Sequence, residues 1–313
     1  LPTRLSRCIN VKDDFGAVGN GVADDAAVLQ AALNAAFGSA SSPHGGSIAN
    51  IPVYFPAGLY ITSVPLVVTN VQGGIIFGDG VLQTNIKFVP SGGTITPVNS
   101  EGITPVLWLN GFYASTMTGL GFVGPSDTTT WSTVCLWLGP DGLLGGTGSH
   151  GNLFENIRTT STTYGIFFGS ANAQAVSENT CLNCEWGIGG AGHNLVGFFC
   201  SGGNTLNMKV IGGGCSGNGT AGFKTNNSAS ITSIISVAMD NNAQDIDLAA
   251  TAQCTVIGVR AEDAAFIKTG SAPTVAINCN QADAGGTVNG YMTGPSATFT
   301  GTLSNPGGNT PTL

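Results

Sequence analysis

Charged residues are scarce in this sequence, and those present predict no basic surface. Only 8% of the 313 residues are Asp, Glu, Lys or Arg, against about 25% in an average globular protein. The 9 basic residues form no cluster, and the net charge is −8. Because nucleic acids and anionic membranes both attract basic surfaces, we expect neither as a partner.

Long apolar runs are also missing. No segment approaches the roughly 18 consecutive apolar residues of a membrane-spanning helix, so no membrane insertion is expected. The first residues, LPTRLSRC, lack the charged and apolar regions of a secretory signal peptide. The sequence does not begin with Met, so a head, leader or anchor before Leu1 stays open.

Glycine and apolar residues are abundant instead. The 48 glycines are roughly twice the usual share. Disordered chains combine low hydrophobicity with high net charge, whereas 42% of this chain is hydrophobic. The sequence therefore predicts a folded protein with a large core, built from short strands between Gly, Asn, Ser and Thr turns.

Eight cysteines are present, and two of them form the motif Cys181-Leu-Asn-Cys184. Such a motif is found in metal and redox sites. No second C-x-x-C and no H-x-x-x-H follows to complete a zinc site. We therefore expect small buried core residues here and no bound metal.

One segment reads as a helix. Asp24 and Asp25 precede AAVLQAALNAAF, in which apolar residues recur with helical spacing. Either aspartate is a suitable N-terminal cap, and Gly38 is a suitable stop. The sequence therefore predicts one helix from Ala26 to Phe37.

Much of the remaining chain is self-similar. Glu155 and Glu178 are 23 residues apart and open similar units, which predicts that they share a register position and that Asn156 pairs with Asn179. Units of 20 to 25 residues without helices are typical of a β-solenoid, whose open end needs a cap. We therefore predict an all-β fold, a right-handed parallel β-helix (β-solenoid) with an N-terminal capping α-helix.

Residues Val11 to Gly80 carry a family resemblance. They contain VKDDFGAVGNGVADDAAVLQAALNAA, then IPVYFPAGLYITS, then GGIIFGDG. This order resembles the N-terminal module of the pectate-lyase-like single-stranded right-handed β-helix superfamily. The resemblance implies an N-terminal first strand and capping helix at 1–40, a parallel β-helix at 41–280, and a C-terminal cap or intersubunit arm at 281–313.

That superfamily includes pectin-degrading enzymes, fungal glucanases and phage tailspikes. The Asn-Thr-Asp, Gly-His-Gly and Arg-Ile-Lys signatures of polygalacturonases are absent. The chain looks more similar to a phage tailspike body. This resemblance implies a homotrimer on the virion surface or outside the cell, with polysaccharide and other virion tail proteins as partners.

The first catalytic hypothesis uses Glu155 and Glu178. Glycosidases need two carboxylates about 5 Å apart for retention or about 6.5–9.5 Å apart for inversion. Stacked coils supply the shorter distance if both residues share a register position. The alternative is that both side chains face solvent or bind a neighbour such as Arg158, which is also a candidate substrate-binding residue.

A second hypothesis uses Asp240 and Glu262, which hold similar places in successive units. Arg260 lies close in sequence, and Glu185 belongs to the same acidic group. A carboxylate and an arginine suit a polysaccharide lyase, for which a bound divalent cation is expected. Without lyase activity we expect no cofactor. The alternative is turn chemistry, which favours Asp.

Aromatic side chains are candidate platforms for sugar rings. Tyr164 and Trp186 occupy similar places in two units, so we expect them to be register partners, on the surface or in the core. Trp131 lies in a polar loop and is expected to be exposed. Trp108 and Trp137 are further candidates.

These observations predict a tailspike-like protein that binds and depolymerises a bacterial surface polysaccharide. Two alternatives stay open. One is a non-catalytic receptor-binding spike or adhesin of the same fold, and the other is a secreted polysaccharide lyase or glycoside hydrolase.

Overall fold

A computed structural model describes residues 8–39, 42–43, 51–93, 102–125, 132–139, 148–169, 176–187, 194–202, 205–226, 229, 231–248, 254–261, 267–269, 274–277, 279–281, 286–288 and 291–293. Its elements are β1 (Ile9–Asn10), β2 (Asn20–Asp24), α1 (Ala26–Phe37), β3 (Gly38–Ser39), β4 (Ser42–Pro43), β5 (Val53–Phe55), β6 (Gly58–Thr62), β7 (Leu66–Gln72), β8 (Ile75–Gly78), β9 (Thr84–Phe88), a short 3₁₀ turn (Ser91–Gly93), β10 (Ile103–Tyr113), β11 (Thr116–Val123), β12 (Ser132–Leu138), β13 (Ser149–His150), β14 (Leu153–Thr160), β15 (Tyr164–Gly169), β16 (Val176–Ser177), β17 (Thr180–Leu182), β18 (Glu185–Trp186), β19 (Val196–Ser201), β20 (Thr205–Leu206), β21 (Met208–Ile211), β22 (Gly214–Ser216), β23 (Ala221–Thr225), β24 (Ile231–Ile235), β25 (Ala238–Asp240), β26 (Ile246–Leu248), β27 (Cys254–Ile257), β28 (Arg260–Ala261), β29 (Ile267–Thr269), β30 (Thr274–Ile277), β31 (Cys279–Gln281), β32 (Gly286–Val288) and β33 (Tyr291–Thr293).

The helix α1 begins and ends where the sequence predicts. Asp24 accepts a hydrogen bond from the backbone N–H of Ala26 (3.1 Å). Asp25 occupies the cap position, but its carboxylate accepts from Val18 (2.7 Å) and Gly19 (2.9 Å) and so fixes the preceding turn. Gly38 ends the helix with a φ of 87°, a conformation that glycine tolerates best.

Parallel strands from successive coils stack into two large sheets. In one sheet the order is β29-β26-β23-β19-β15-β12-β10-β7, so each coil contributes one strand. The other large sheet contains most of the remaining strands, again paired coil to coil. Such stacking, with one strand per coil and no crossover helix, is a parallel β-helix, and the predicted fold class is confirmed.

The core lies between the two large sheets. Alternate residues of each strand face inward, as Ile166 and Phe168 do on β15. The apolar side of α1, including Leu29, Leu33 and Phe37, packs against the same core at its N-terminal end. The helix therefore covers the first coil, and its position protects an otherwise open sheet edge.

Corners of the solenoid are marked by left-handed backbone conformations. Ala114, Gly151, Glu178 and Asn207 occupy one corner in successive coils, with φ values of 48°, 66°, 60° and 57°. Their separations in sequence are unequal, and all exceed the predicted repeat of 23 residues. The predicted register is therefore wrong: Glu178 stacks with Gly151, and Glu155 pairs with Leu182.

Buried asparagines link neighbouring coils beside these corners. Asn179 Oδ1 accepts from the backbone N–H of Asn152 (3.1 Å) and from its Nδ2 (2.7 Å). Asn218 and Asn242 repeat the same two hydrogen bonds further along, at 3.1 and 2.7 Å. The predicted Asn156–Asn179 pair is wrong, because Asn156 sits at an exposed corner and the partner of Asn179 is Asn152.

The C-terminal end changes from parallel to antiparallel pairing. β30 pairs with β33, and β31 pairs with β32, both antiparallel. The division of the chain at 1–40, 41–280 and 281–313 stays a prediction.

Candidate functional site

The two carboxylates of the first catalytic hypothesis lie at different positions along the coil. Glu155 is on β14, beside Thr118 and Leu182 in the neighbouring coils. Glu178 lies four residues before Leu182, at the corner position that stacks with Gly151. The register that suggested this pair is therefore absent.

The second predicted group is only partly described. Asp240 ends β25, beside Ser216, and its Oδ1 accepts a hydrogen bond from Asn241 Nδ2 (2.8 Å). Arg260 lies in the next coil, beside Ala238. Glu262 lies outside the described residues. A catalytic role for Asp240 and a substrate-binding role for Arg260 stay predictions.

Two predicted substrate-binding residues contact each other. Arg158 and Glu185 are register partners on β14 and β18, with Nε and Oε2 3.7 Å apart. Their side chains are 22% and 52% exposed. Glu185 is therefore exposed, whereas Arg158 is partly buried.

The two predicted aromatic platforms, Trp186 and Tyr164, lie in different places in the fold. Trp186 is 0% exposed and packs edge-to-face against Phe198 and Phe223 in the core. A fully buried indole presents no face to a sugar, so its assignment as a substrate-binding residue is corrected. Tyr164 lies on the other large sheet, in register with Val196. Trp131 lies outside the described residues.

A ladder of aromatic side chains covers the outer face of the eight-stranded sheet. Trp108, Trp137, Phe167 and Phe199 occupy consecutive register positions and are buried. The first two indoles stack at 4.7 Å and 17°. Their Nε1 atoms donate to the carbonyl oxygens of Gly139 (2.7 Å) and Gly169 (2.8 Å) respectively.

The ladder ends at a partly exposed ring and an ion pair. Tyr164 stacks on Phe199 with 4.6 Å between centroids and 14° between planes. Burial raises the pKa of the Tyr164 phenol, and the ammonium of Lys224 opposes that rise. Lys224 follows Phe199 in register and binds Asp247, with Nζ and Oδ2 3.0 Å apart. We call Tyr164, Phe199, Lys224 and Asp247 the outer aromatic patch.

Most of the patch was not anticipated from the sequence. The strings LWLN at 107–110 and LWLG at 136–139 carry the start of its ladder and form a visible repeat. Phe199 and Lys224 lie in strings without that similarity. Only the pairing of β15, β19 and β23 brings them beside Tyr164.

A second surface feature lies at a corner of the solenoid. Tyr113 and His150 stack at 5.7 Å and 19°. His150 is exposed and pairs in register with Ser177, which in turn pairs with Leu206. We call Tyr113, His150, Ser177 and Leu206 the corner column. Glu178 is exposed and follows Ser177 directly.

The cysteines of the C-x-x-C motif are buried in the core. Cys181 and Cys184 are buried free thiols, as expected. Burial raises the pKa of Cys181 well above its ordinary value, which keeps it protonated and unreactive. In the same described part, no three His, Cys, Asp or Glu side chains gather as a metal site would require. No helix there is long and apolar enough to span a membrane.

The fold is a right-handed parallel β-helix. Residues 8–119 match the family model described as "Rhamnogalacturonase A/epimerase, pectate lyase-like". The match covers just over a third of the chain. The resemblance of the N-terminal segment is thereby confirmed. No curated protein shows significant similarity to the chain.

Solved structures with a similar fold come from phages and from a bacterial enzyme. ORF18 of Geobacillus virus E2 is 15% identical, with a TM-score of 0.50 over 91% of this chain and 63% of that one. Gene product 12 of bacteriophage phi29, in its pre-mature form, is 13% identical, with a TM-score of 0.50 over 86% and 33%. The A-module of mannuronan C-5 epimerase AlgE4 from Azotobacter vinelandii is 20% identical, with a TM-score of 0.49 over 87% and 75%.

Both phage proteins are longer than the aligned part, because this chain spans 63% and 33% of their lengths. At 15% and 13% identity the likeness concerns the fold alone. Activity, substrate and partners need separate support from the residues of this chain.

Proposed function

We propose that this protein binds a polysaccharide on the outer face of its eight-stranded sheet, at the outer aromatic patch. The observation that carries the proposal is the Tyr164 ring, which is partly exposed and held parallel to Phe199 at 4.6 Å. An exposed aromatic ring fixed by a buried one is a rigid apolar platform. Such a platform loses little conformational entropy when a ligand binds.

The neighbouring ion pair supplies the polar part of the site. A sugar ring has apolar C–H faces and a rim of hydroxyl groups. Tyr164 suits the face, while Lys224 and Asp247 offer a donor and an acceptor for the rim. Their side chains are 32% and 15% exposed, so both are accessible from solvent. A few polar groups converging beside an apolar surface are typical of a ligand site.

A phage spike is the proposed setting of this binding. The fold occurs in two bacteriophage proteins, and the neutral surface rich in Gly, Ser, Thr and Asn resembles that of a phage tailspike body. We propose a polysaccharide of a bacterial surface as the ligand, a location on the virion surface, and a homotrimer that contacts other tail proteins.

Binding is proposed ahead of catalysis. The family match at 8–119 contains none of the predicted catalytic residues Glu155, Glu178, Asp240 and Glu262. The Glu155–Glu178 pair has lost the shared register on which it was based. Depolymerisation is therefore the second candidate, and a divalent cation is expected only for a lyase.

The test is a glycan panel of bacterial capsular and lipopolysaccharide glycans with plant pectins. Tyr164→Ala is expected to weaken binding of the selected glycan by about tenfold, the effect of losing about 1.4 kcal/mol of stacking. Tyr54→Ala is the matched control, because Tyr54 also stacks on a phenylalanine, Phe77, at 5.0 Å and 20° on the other sheet.

Three outcomes decide between the functions. Equal loss in both variants, or no binding to any glycan, contradicts the proposed site. New reducing ends without ultraviolet absorbance of unsaturated sugars indicate a hydrolase, and both signals together indicate a lyase. Binding without either signal indicates a receptor-binding spike.

A further inference from the structure

The corner column contains an aromatic stack that stops abruptly. His150 has one ring face on Tyr113, at 5.7 Å and 19°. Its opposite face is turned toward the next coil, where the register partner is Ser177. Serine has no ring to continue the stack, and His150 is exposed. One face of the imidazole is therefore left uncovered by its neighbour in the column.

The strand register places Ser177 between two bulkier residues, and we call the space over its side chain the slot. His150 lies one coil before it, and Leu206 lies one coil after it and is 37% exposed. Two coil steps of about 4.8 Å separate the walls by roughly 9.5 Å. A ring in van der Waals contact with both walls needs about 3.5–4.0 Å on each side. One ring therefore fits between them.

Glu178 follows Ser177 directly and has a left-handed backbone conformation. It sits at a φ of 60°, in a corner where Gly151 and Asn207 hold the same conformation in the adjacent coils. Glycine and asparagine tolerate that region, whereas a glutamate there costs roughly 1–2 kcal/mol.

We propose that the slot over Ser177 binds one pyranose ring of a neutral glycan. The imidazole of His150 covers one face of the sugar, Leu206 covers the other, and the Ser177 hydroxyl and Glu178 carboxylate accept hydrogen bonds from sugar hydroxyls. A uronate is disfavoured because Glu178 and the net charge of −8 repel its carboxylate. The slot lies apart from the outer aromatic patch and rests on the proposed function only in sharing a glycan ligand.

The test follows the imidazole of His150 directly. The intact protein is labelled with ¹⁵N-histidine, and the His150 signals are assigned from the His150→Ala variant, since the chain has 3 histidines. Methyl α-glucopyranoside is titrated as the neutral probe, and galacturonate is titrated as the charged one. We expect the His150 signals to shift with the neutral sugar and at least tenfold less with galacturonate at equal concentration.

Ser177→Phe fills the slot with a ring of its own and is the decisive variant. We expect it to keep or raise the melting temperature, because it extends the Tyr113–His150 stack, and to abolish the sugar-dependent shift at His150. Thr180→Phe, on the outer face of the same coil, is the matched control and keeps the shift. An unchanged shift in Ser177→Phe, or an equal response to galacturonate, overturns the proposal.

Failure of this proposal and failure of the proposed function give different results. If a polymer binds through Tyr164 and the His150 signals do not shift, the slot proposal is contradicted and the proposed function is retained. If the His150 signals shift with the neutral sugar but no polymer of the panel binds, the slot proposal is retained and binding at the outer aromatic patch is contradicted.

Discussion

Asp24 and Asp25 are adjacent in sequence but stabilise different parts of the molecule. Asp25 binds the turn before the helix, through Val18 and Gly19. Asp24 joins the start of the helix to the next coil, because its Oδ2 accepts from the hydroxyl of Ser63 (2.5 Å). A single aspartate could not make both sets of contacts.

The stabilisation that Asp24 gives to the start of α1 should depend on pH. Partial burial raises the pKa of its carboxyl, but hydrogen bonds from Ser63 and Ala26 outweigh burial and hold the pKa below its ordinary value. The ionised form therefore stabilises the fold above about pH 4, and this contribution is lost as the pH falls through the folded-state pKa. Asp24→Asn should lower the melting temperature at pH 7 and matter less at pH 3.

Thermal unfolding followed by circular dichroism at both pH values measures this difference. Ser63→Ala serves as the background control, since removing the main donor should shrink the effect of Asp24→Asn. A difference between wild type and Asp24→Asn that is the same at pH 7 and pH 3 would show that ionisation is not the cause.

At the scale of elements, corners rather than strands determine the register. Loops of unequal length separate the strands, so equivalent positions recur at irregular intervals in the sequence. The shared feature at each corner is the positive φ, held by residues as different as Gly151, Glu178 and Asn207. Buried asparagines beside the corners satisfy backbone N–H groups that the interrupted ladder leaves without a strand partner.

Because Asn179 accepts two hydrogen bonds from Asn152 in the core, we expect its truncation to alanine to destabilise the protein strongly. Asn179→Ala removes the acceptor of the Asn152 backbone N–H and of one Nδ2 proton, while Nδ2 keeps its bond to the carbonyl oxygen of Phe112. Each buried donor left unpaired costs roughly 1–3 kcal/mol, so we expect a loss of at least about 2 kcal/mol in the free energy of unfolding.

Urea unfolding of Asn179→Ala and of Thr180→Ala measures this loss. Thr180 is the next residue in the chain but lies on the outer face of the same coil and is partly exposed. Its truncation should change stability by less than about 0.5 kcal/mol. Equal losses in the two variants would contradict the stabilising role of the hydrogen bonds between Asn152 and Asn179.

At the scale of the whole molecule, each coil depends on its neighbours. A solenoid coil cannot bury its own apolar side, so stability is a sum of coil interfaces and end caps. The N-terminal cap is α1, whose Phe37 is buried in the core cluster. Its outer side carries exposed Ala35.

Phe37→Ala should therefore weaken the packing of α1 against the first coil. We expect a loss of roughly 3–5 kcal/mol from the cavity, together with aggregation on heating, because opening of the cap exposes a sheet edge. Circular dichroism and light scattering during a thermal ramp measure both effects. Ala35→Ser, on the exposed side of the same helix, should change neither, and early aggregation of that variant would contradict a specific capping role.

The sequence by itself determined the fold class, the limits of α1 and the burial of the cysteine motif. These features depend on local information: helical spacing over twelve residues, a Gly stop, and apolar strands separated by turn residues. Only the tertiary structure decided which residues meet. Glu155 faces Leu182, Trp186 enters the core and Tyr164 stacks on Phe199, because coil lengths vary and a shift in register moves a side chain to another neighbour or another face.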